Sequence, residues 1–137
     1  MSRILVDTSA YSAYLNDHPE VKGAIQRASE VGLSVVTLGE LRAGFLKGGN
    51  SRRNVDLLQS FLTSPRVRIL SVDEETTSRY ATAHDYLRRQ GAPVPVNDIW
   101  IAATAAQHGL RLLTLDRHFL QVPQAMVDFV EPARSLR

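Results

Sequence analysis

Five short apolar runs, at residues 4–6, 33–37, 67–72, 110–115 and 127–130, alternate with stretches of helical character. That alternation predicts an α/β fold, with a mostly parallel sheet of about five strands joined by right-handed helical crossovers. Thr8 heads a short helix to Leu15. Pro19 suits the first turn of a second helix that runs to about Val31, where Gly32 is read as the stop. A third starts near Thr37 and ends at Gly48-Gly49-Asn50, and a fourth covers residues 51–62, closed by Ser64-Pro65. The fifth has the strongest end signals: Asp73-Glu74-Glu75 favour its positive N-terminus, Arg88-Arg89 its C-terminus, and Gly91 stops it. Pro93-Val94-Pro95-Val96 is expected to be extended, because each proline disfavours helix for itself and for its predecessor. The sixth helix, residues 99–108, is rich in alanine and able to lie close against a sheet. With no repeat, low-complexity tract or linker, residues 1–137 read as one domain.

Acidic residues recur where such a sheet has its working edge. Asp7 ends Ile4-Leu5-Val6, Asp116 ends Leu112-Leu113-Thr114-Leu115, Glu40 follows the second apolar run, and Asp98 is delivered by the proline segment to the start of the sixth helix. Functional groups in open α/β sheets gather beyond the carboxyl ends of the strands. Four carboxylates brought to one place repel one another and lose hydration unless a cation joins them, and hard divalent ions such as Mg²⁺ favour oxygen ligands. Each also has an ordinary reading. Asp7 could cap a helix, Glu40 could close a capping box with Thr37, Asn97 or Asp98 could cap the sixth helix, and Asp116 could start a turn. Thr8, Ser9 and Thr114 could hydrogen-bond the carboxylates from behind, or simply cap and pack.

Other chemistries find little support. Cysteine is absent, which excludes disulfides and thiolate-bound zinc and fits a cytoplasmic location. No apolar run approaches the roughly 20 residues that span a bilayer, and the acidic residue at position 7 interrupts the start too early for a signal peptide. The net charge is only +2, almost all of its positive part from arginine, with Lys22 and Lys47 the only lysines. Arg52-Arg53 and Arg88-Arg89 could meet nucleic acid or an acidic partner, or form solvated helix faces. There is no glycine-rich phosphate loop or nucleophile elbow, and His18, His84, His108 and His118 lack zinc-protease spacing. Tyr80 and Trp100 read as core, whereas Tyr11, Tyr14 and Leu15 could form a partner patch or be buried.

Taken in order, Ile4-Leu5-Val6-Asp7-Thr8-Ser9, Thr37-Leu38-Gly39-Glu40-Leu41, Asn97-Asp98 leading into Ile101-Ala102-Ala103-Thr104-Ala105, and Leu113-Thr114-Leu115-Asp116-Arg117-His118-Phe119 resemble the PIN-domain ribonucleases, specifically the VapC-type toxins. That resemblance implies a three-layer α/β/α fold. It implies Mg²⁺ or Mn²⁺ held by Asp7, Asp98 and Asp116, with Glu40 a direct ligand or one acting through water. Thr8, Ser9, Asn97 and Thr114 are then the expected supports behind these ligands. It further implies metal-dependent endoribonuclease activity on RNA, a homodimer or larger assembly, and inhibition by a small VapB-like antitoxin. A PIN nuclease of RNA processing rather than a toxin is the alternative. A phosphatase with Asp7 as nucleophile would want a second aspartate where Ser9 stands, and a receiver module would want a late lysine, which the chain lacks. Arg42 or Arg117 could hold phosphate, or lie on the surface.

Overall fold

Asp7, at the end of the first strand, sits in the middle of the sheet rather than at its margin. The computed structural model describes residues 2–133, so Met1 and residues 134–137, the outer limits of the single-domain reading, lie outside it. The strands are β1 (Arg3–Val6), β2 (Glu30–Ser34), β3 (Val67–Leu70), β4 (Arg111–Thr114) and β5 (Met126–Phe129). They form one sheet in the order β3-β2-β1-β4-β5 with every pairing parallel. The helices are α1 (Thr8–Leu15), α2 (Pro19–Arg27), α3 (Val35–Lys47), α4 (Ser51–Leu62), α5 (Glu74–Gln90) and α6 (Val96–His108), with a 3₁₀ turn over Arg117–Gln121. β1 is central, and the chain leaves it towards β2 on one side and pairs it with β4 on the other. That reversal makes the β1/β4 boundary the topological switch point, where an open sheet presents its crevice.

Strand alternation builds two cores. Ile4, Val6, Val31, Leu33 and Leu113 point to one face and pack with Tyr11 of α1, Val21 and Ile25 of α2, Leu41 and Phe45 of α3 and Leu58 of α4. Leu5, Leu70 and Leu112 point to the other, against Ala83 and Leu87 of α5 and Ile101, Ala102 and Ala105 of α6. The small side chains of α6 let it approach the sheet closely, as its alanine content suggested. Helices on both faces complete three layers. Tyr11 is fully buried, its ring 5.2 Å from that of Phe61, so it belongs to the core rather than to a docking patch. Tyr80 and Trp100 stack 3.9 Å apart, and both are half-buried.

The second strand lies three residues earlier than the apolar run suggested, at 30–34 instead of 33–37, and α2 stops at Arg27 rather than near Val31. Ser34 supplies the reason for the first shift, because its hydroxyl accepts from the Val36 amide and caps α3. Thr37, Leu41 and Phe45 then recur at helical spacing on the buried face, and that packing overrides the β-propensity of Val35-Val36-Thr37. At the end of α2, the Arg66 guanidinium donates to the carbonyls of Ile25 and Ala28. Gly32 is therefore not a helix stop but the centre of β2. A Cβ there would meet Leu70 and Leu110 methyls at 2.9 Å and Leu5 at 3.3 Å, so glycine is what lets the second core close. α5 runs as expected, with a capping box between Asp73 and Thr76 and Gly91 left-handed at φ 63°. α6 starts at Val96, straight after Pro95 at φ -55° and ψ 143°, so the last residue of the proline segment is helical rather than extended.

Replacing Gly32 with valine should destabilise the fold by about 1–3 kcal/mol through overpacking against three leucines. Chemical denaturation measures this, and a midpoint unchanged from wild type would contradict the close approach at β2.

Candidate functional site

Beyond the carboxyl ends of β1 and β4, the side chains of Asp7, Glu40, Asp98 and Asp116 line one cleft of about 270 Å³, together with Thr8, Ser9, Ser12 and Ile101. Four different elements bring them there. Asp7 is the residue that follows β1 and caps α1, accepting from the Ala10 amide at 2.8 Å. Asp116 lies two residues past β4 and caps the 3₁₀ turn through the His118 amide at 2.9 Å. Glu40 projects from the second turn of α3, and Asp98 from the first turn of α6. Two of the ordinary readings therefore hold alongside the clustering, and two do not. Thr37 is buried inside α3 with its hydroxyl unpaired, so it forms no capping box with Glu40. α6 has no side-chain cap, which leaves Asn97 and Asp98 free for other contacts.

Hydroxyls hold two of the carboxylates, Asp7 and Glu40. Thr114 Oγ1 lies 2.6 Å from Asp7 Oδ2, and Ser9 Oγ lies 2.8 and 2.9 Å from the two Asp7 oxygens. The amides of Asp116 and Leu115 donate to Thr114 Oγ1 and Ser9 Oγ at 2.9 and 3.0 Å, and each hydroxyl donates its own proton to the Asp7 carboxylate, which in its ionised form can only accept. Glu40 is gripped from both sides: Thr8 donates to Oε1 at 2.6 Å and Asn97 Nδ2 to Oε2 at 3.3 Å. Thr8, Ser9, Asn97 and Thr114 thus all contact the cleft carboxylates.

The electrostatics record the crowding. Burial first, and then the charges of Asp116, Glu40 and Asp7, push the Asp98 carboxyl up to about 6 against the opposing effect of His118. The Asp7 carboxyl is also raised, chiefly by burial, with the hydrogen bonds from Thr114, Ala10 and Ser9 working against that rise. No lysine or arginine lines the cleft among the described residues. Arg117 faces elsewhere, bound to Glu131 at 3.0 Å and seated 4.8 Å from the Phe129 ring. Arg42 lines a separate groove with Phe45, Leu46 and Arg52. Arg88 and Arg89 are exposed and pair with Asp85, as a solvated face would.

Two contributors escaped the sequence reading. Ser12 lies one helical turn after Thr8, and that four-residue spacing was the available signal. His118 was set aside for lack of a zinc motif, yet its Nδ1 lies 2.9 Å from Asp116 Oδ1 and 3.7 Å from Asp98 Oδ2.

The model of the PIN domain family matches residues 4–125. The chain therefore belongs to the PIN domain family, and its relatives place it with the VapC-type members. The ribonuclease VapC4 of Mycobacterium tuberculosis is 39% identical over 98 residues, covering 72% of this chain and 75% of the relative. Toxin FitB of Neisseria gonorrhoeae is 36% identical over 121 residues, covering 82% and 87%. Among solved structures, VapBC-5 of Mycobacterium tuberculosis, a member of the VapBC family of toxin–antitoxin systems, superposes with a TM-score of 0.71 at 28% identity, covering 96% of this chain and all of that one.

Because the Asp98 carboxyl lies above its unfolded value of about 3.8, the folded state binds its proton more tightly. Its contribution to stability is complete below pH 4 and is lost as the pH rises through about 6. Asp98→Asn should therefore stabilise the ion-free protein at pH 7 by on the order of 1–2 kcal/mol after allowance for solvent screening, with no gain at pH 4. Melting curves in chelator at the two pH values check this, and a variant that melts below wild type at pH 7 would contradict the crowding.

Proposed function

We propose that this protein is a metal-dependent endoribonuclease and the toxin of a toxin–antitoxin pair, its residues 1–137 forming one nuclease domain. The observation that carries the reading is the meeting of four carboxylates from four elements in one cleft that no lysine or arginine lines among the described residues. The donor set fits a hard divalent cation: all four groups offer oxygen, and the Asp98 carboxyl is raised by burial and, after it, by the negative charges of Asp116, Glu40 and Asp7. Asp7, Asp98 and Asp116 would hold Mg²⁺ or Mn²⁺, and Glu40 would contact it directly or through water. When bound, such an ion supplies positive charge at the scissile phosphate and lowers the pKa of a water for attack.

The chain's own residues do the rest. Thr114 and Ser9 hold the Asp7 carboxylate in place at the cleft, and Thr8 and Asn97 do the same for Glu40. Oxygens held this way would bind an ion without reorganisation during the reaction. Water adds to phosphorus, the bond to the 3′ oxygen breaks, and the products carry 5′-phosphate and 3′-hydroxyl ends. The names of the relatives, ribonuclease and toxin, support RNA as substrate and growth inhibition as outcome. The toxin–antitoxin description of VapBC-5 supports a small cognate antitoxin as partner.

Asp7→Asn should reduce RNA cleavage to the level of a chelator-treated control, while circular dichroism shows an intact fold. Thr114→Val, which removes only a supporting hydroxyl, should cost about 10–100-fold in activity. Full cleavage by Asp7→Asn would refute the assignment. Expression of the chain without a partner should arrest bacterial growth in the wild type and not in Asp7→Asn; harmless expression of a cleavage-competent protein would refute the toxin role.

A further inference from the structure

We infer that His118 belongs to the ion site, where its Nδ1 sets one nitrogen donor among the carboxylate oxygens and biases the site towards Mn²⁺ over Mg²⁺. This deepens the proposed function and rests on the reading of the cleft as an ion site. The 3₁₀ turn makes the placement possible. Asp116 accepts from the His118 amide, which folds the chain back so that the imidazole meets the same carboxylate. One donor atom each from Asp98, Asp116 and His118 lies within 4.8 Å of the other two. A single ion could therefore be shared by groups from α6 and from the turn after β4.

The ring is suited to the task. It is 45% exposed, so water can satisfy the nitrogen that faces away from the carboxylates. As a ligand it would be neutral, with its proton on Nε2 and the Nδ1 lone pair towards the ion. Contrast His18, which is buried with both nitrogens engaged, Nδ1 by the Val21 amide and Nε2 by the Glu131 carbonyl. Nitrogen in an otherwise oxygen-only set changes which cation is preferred. Mg²⁺ holds to oxygen and water, whereas Mn²⁺ sits higher in the divalent affinity order and accepts imidazole more readily. A merely supportive His118 would only hydrogen-bond Asp116, and an amide side chain could replace it in that role.

Pulsed electron paramagnetic resonance of Mn²⁺ bound to the untagged full chain tests the inference. Wild type should show coupling of the ion to an imidazole ¹⁴N, and that coupling should vanish in His118→Ala and His118→Asn. Competition titrations should show the Mn²⁺ to Mg²⁺ affinity ratio falling about tenfold in both variants. Bound Mn²⁺ with no ¹⁴N coupling in wild type, or a wild-type ratio retained by His118→Asn, would overturn the role of His118 and leave the ion site standing. Failure of wild type to bind Mn²⁺ at all would overturn both readings, and Mn²⁺ bound equally well by wild type and Asp7→Asn would show that the ion lies elsewhere.

Discussion

The repulsion among four carboxylates at the centre of one sheet edge is the constraint around which this fold is organised. Asp7 is almost wholly buried, and Asp98 is held far above the ordinary carboxylate range by burial and by its acidic neighbours. Such a group of charges opposes folding until something offsets it. Part of the offset is internal. Backbone amides of Ala10 and His118 and the hydroxyls of Thr8, Ser9 and Thr114 all direct donors at the acidic side chains. The remaining imbalance is what a divalent ion would relieve, so a cost in stability and a capacity for ion binding share one origin.

The scaffold turns sheet topology into side-chain position. β1 and β4 are neighbours, so residues that follow them, Asp7 and Asp116, are brought together although 109 positions separate them in sequence. Ser34 starts α3 at the end of β2, which sets Glu40 on its second turn above the same edge. Pro95 starts α6 abruptly and places Asn97 and Asp98 on its first turn, where the helix N-terminus favours negative charge. Gly32 and the alanines of α6 serve this geometry at a distance, because they allow the second core to close beneath the cleft.

Much of this was legible in the chain. The strand–helix alternation announced the parallel α/β fold, and the PIN family match and the all-parallel sheet agree with it. The positions of the acidic residues at strand ends suggested a common edge, because β-strand ends carry loops to one side whatever the details. Local propensity misled where packing decided instead. Val35-Val36-Thr37 reads as strand, but burial at helical spacing and the Ser34 cap make it helix. Gly32 reads as a stop, but the need for space against three leucines places it in mid-strand. His118 lies within the last of the four motifs but carries no ligand spacing of its own; only the turn capped by Asp116 brings its ring to the cleft. Arg117, adjacent in sequence, is carried away to Glu131 and Phe129 by the same turn.

Membership of the PIN domain family and the geometry of the cleft converge from independent directions, one from the ordered motifs and the other from distances between side chains. The ion that joins them is the point on which the chemistry depends. A crystal soaked in Mn²⁺ and measured at a wavelength where manganese scatters anomalously addresses it directly. An anomalous peak in contact with the carboxylates of Asp7, Asp98 and Asp116 is the expected result; density confined to other surfaces, with the cleft empty at saturating Mn²⁺, would contradict it.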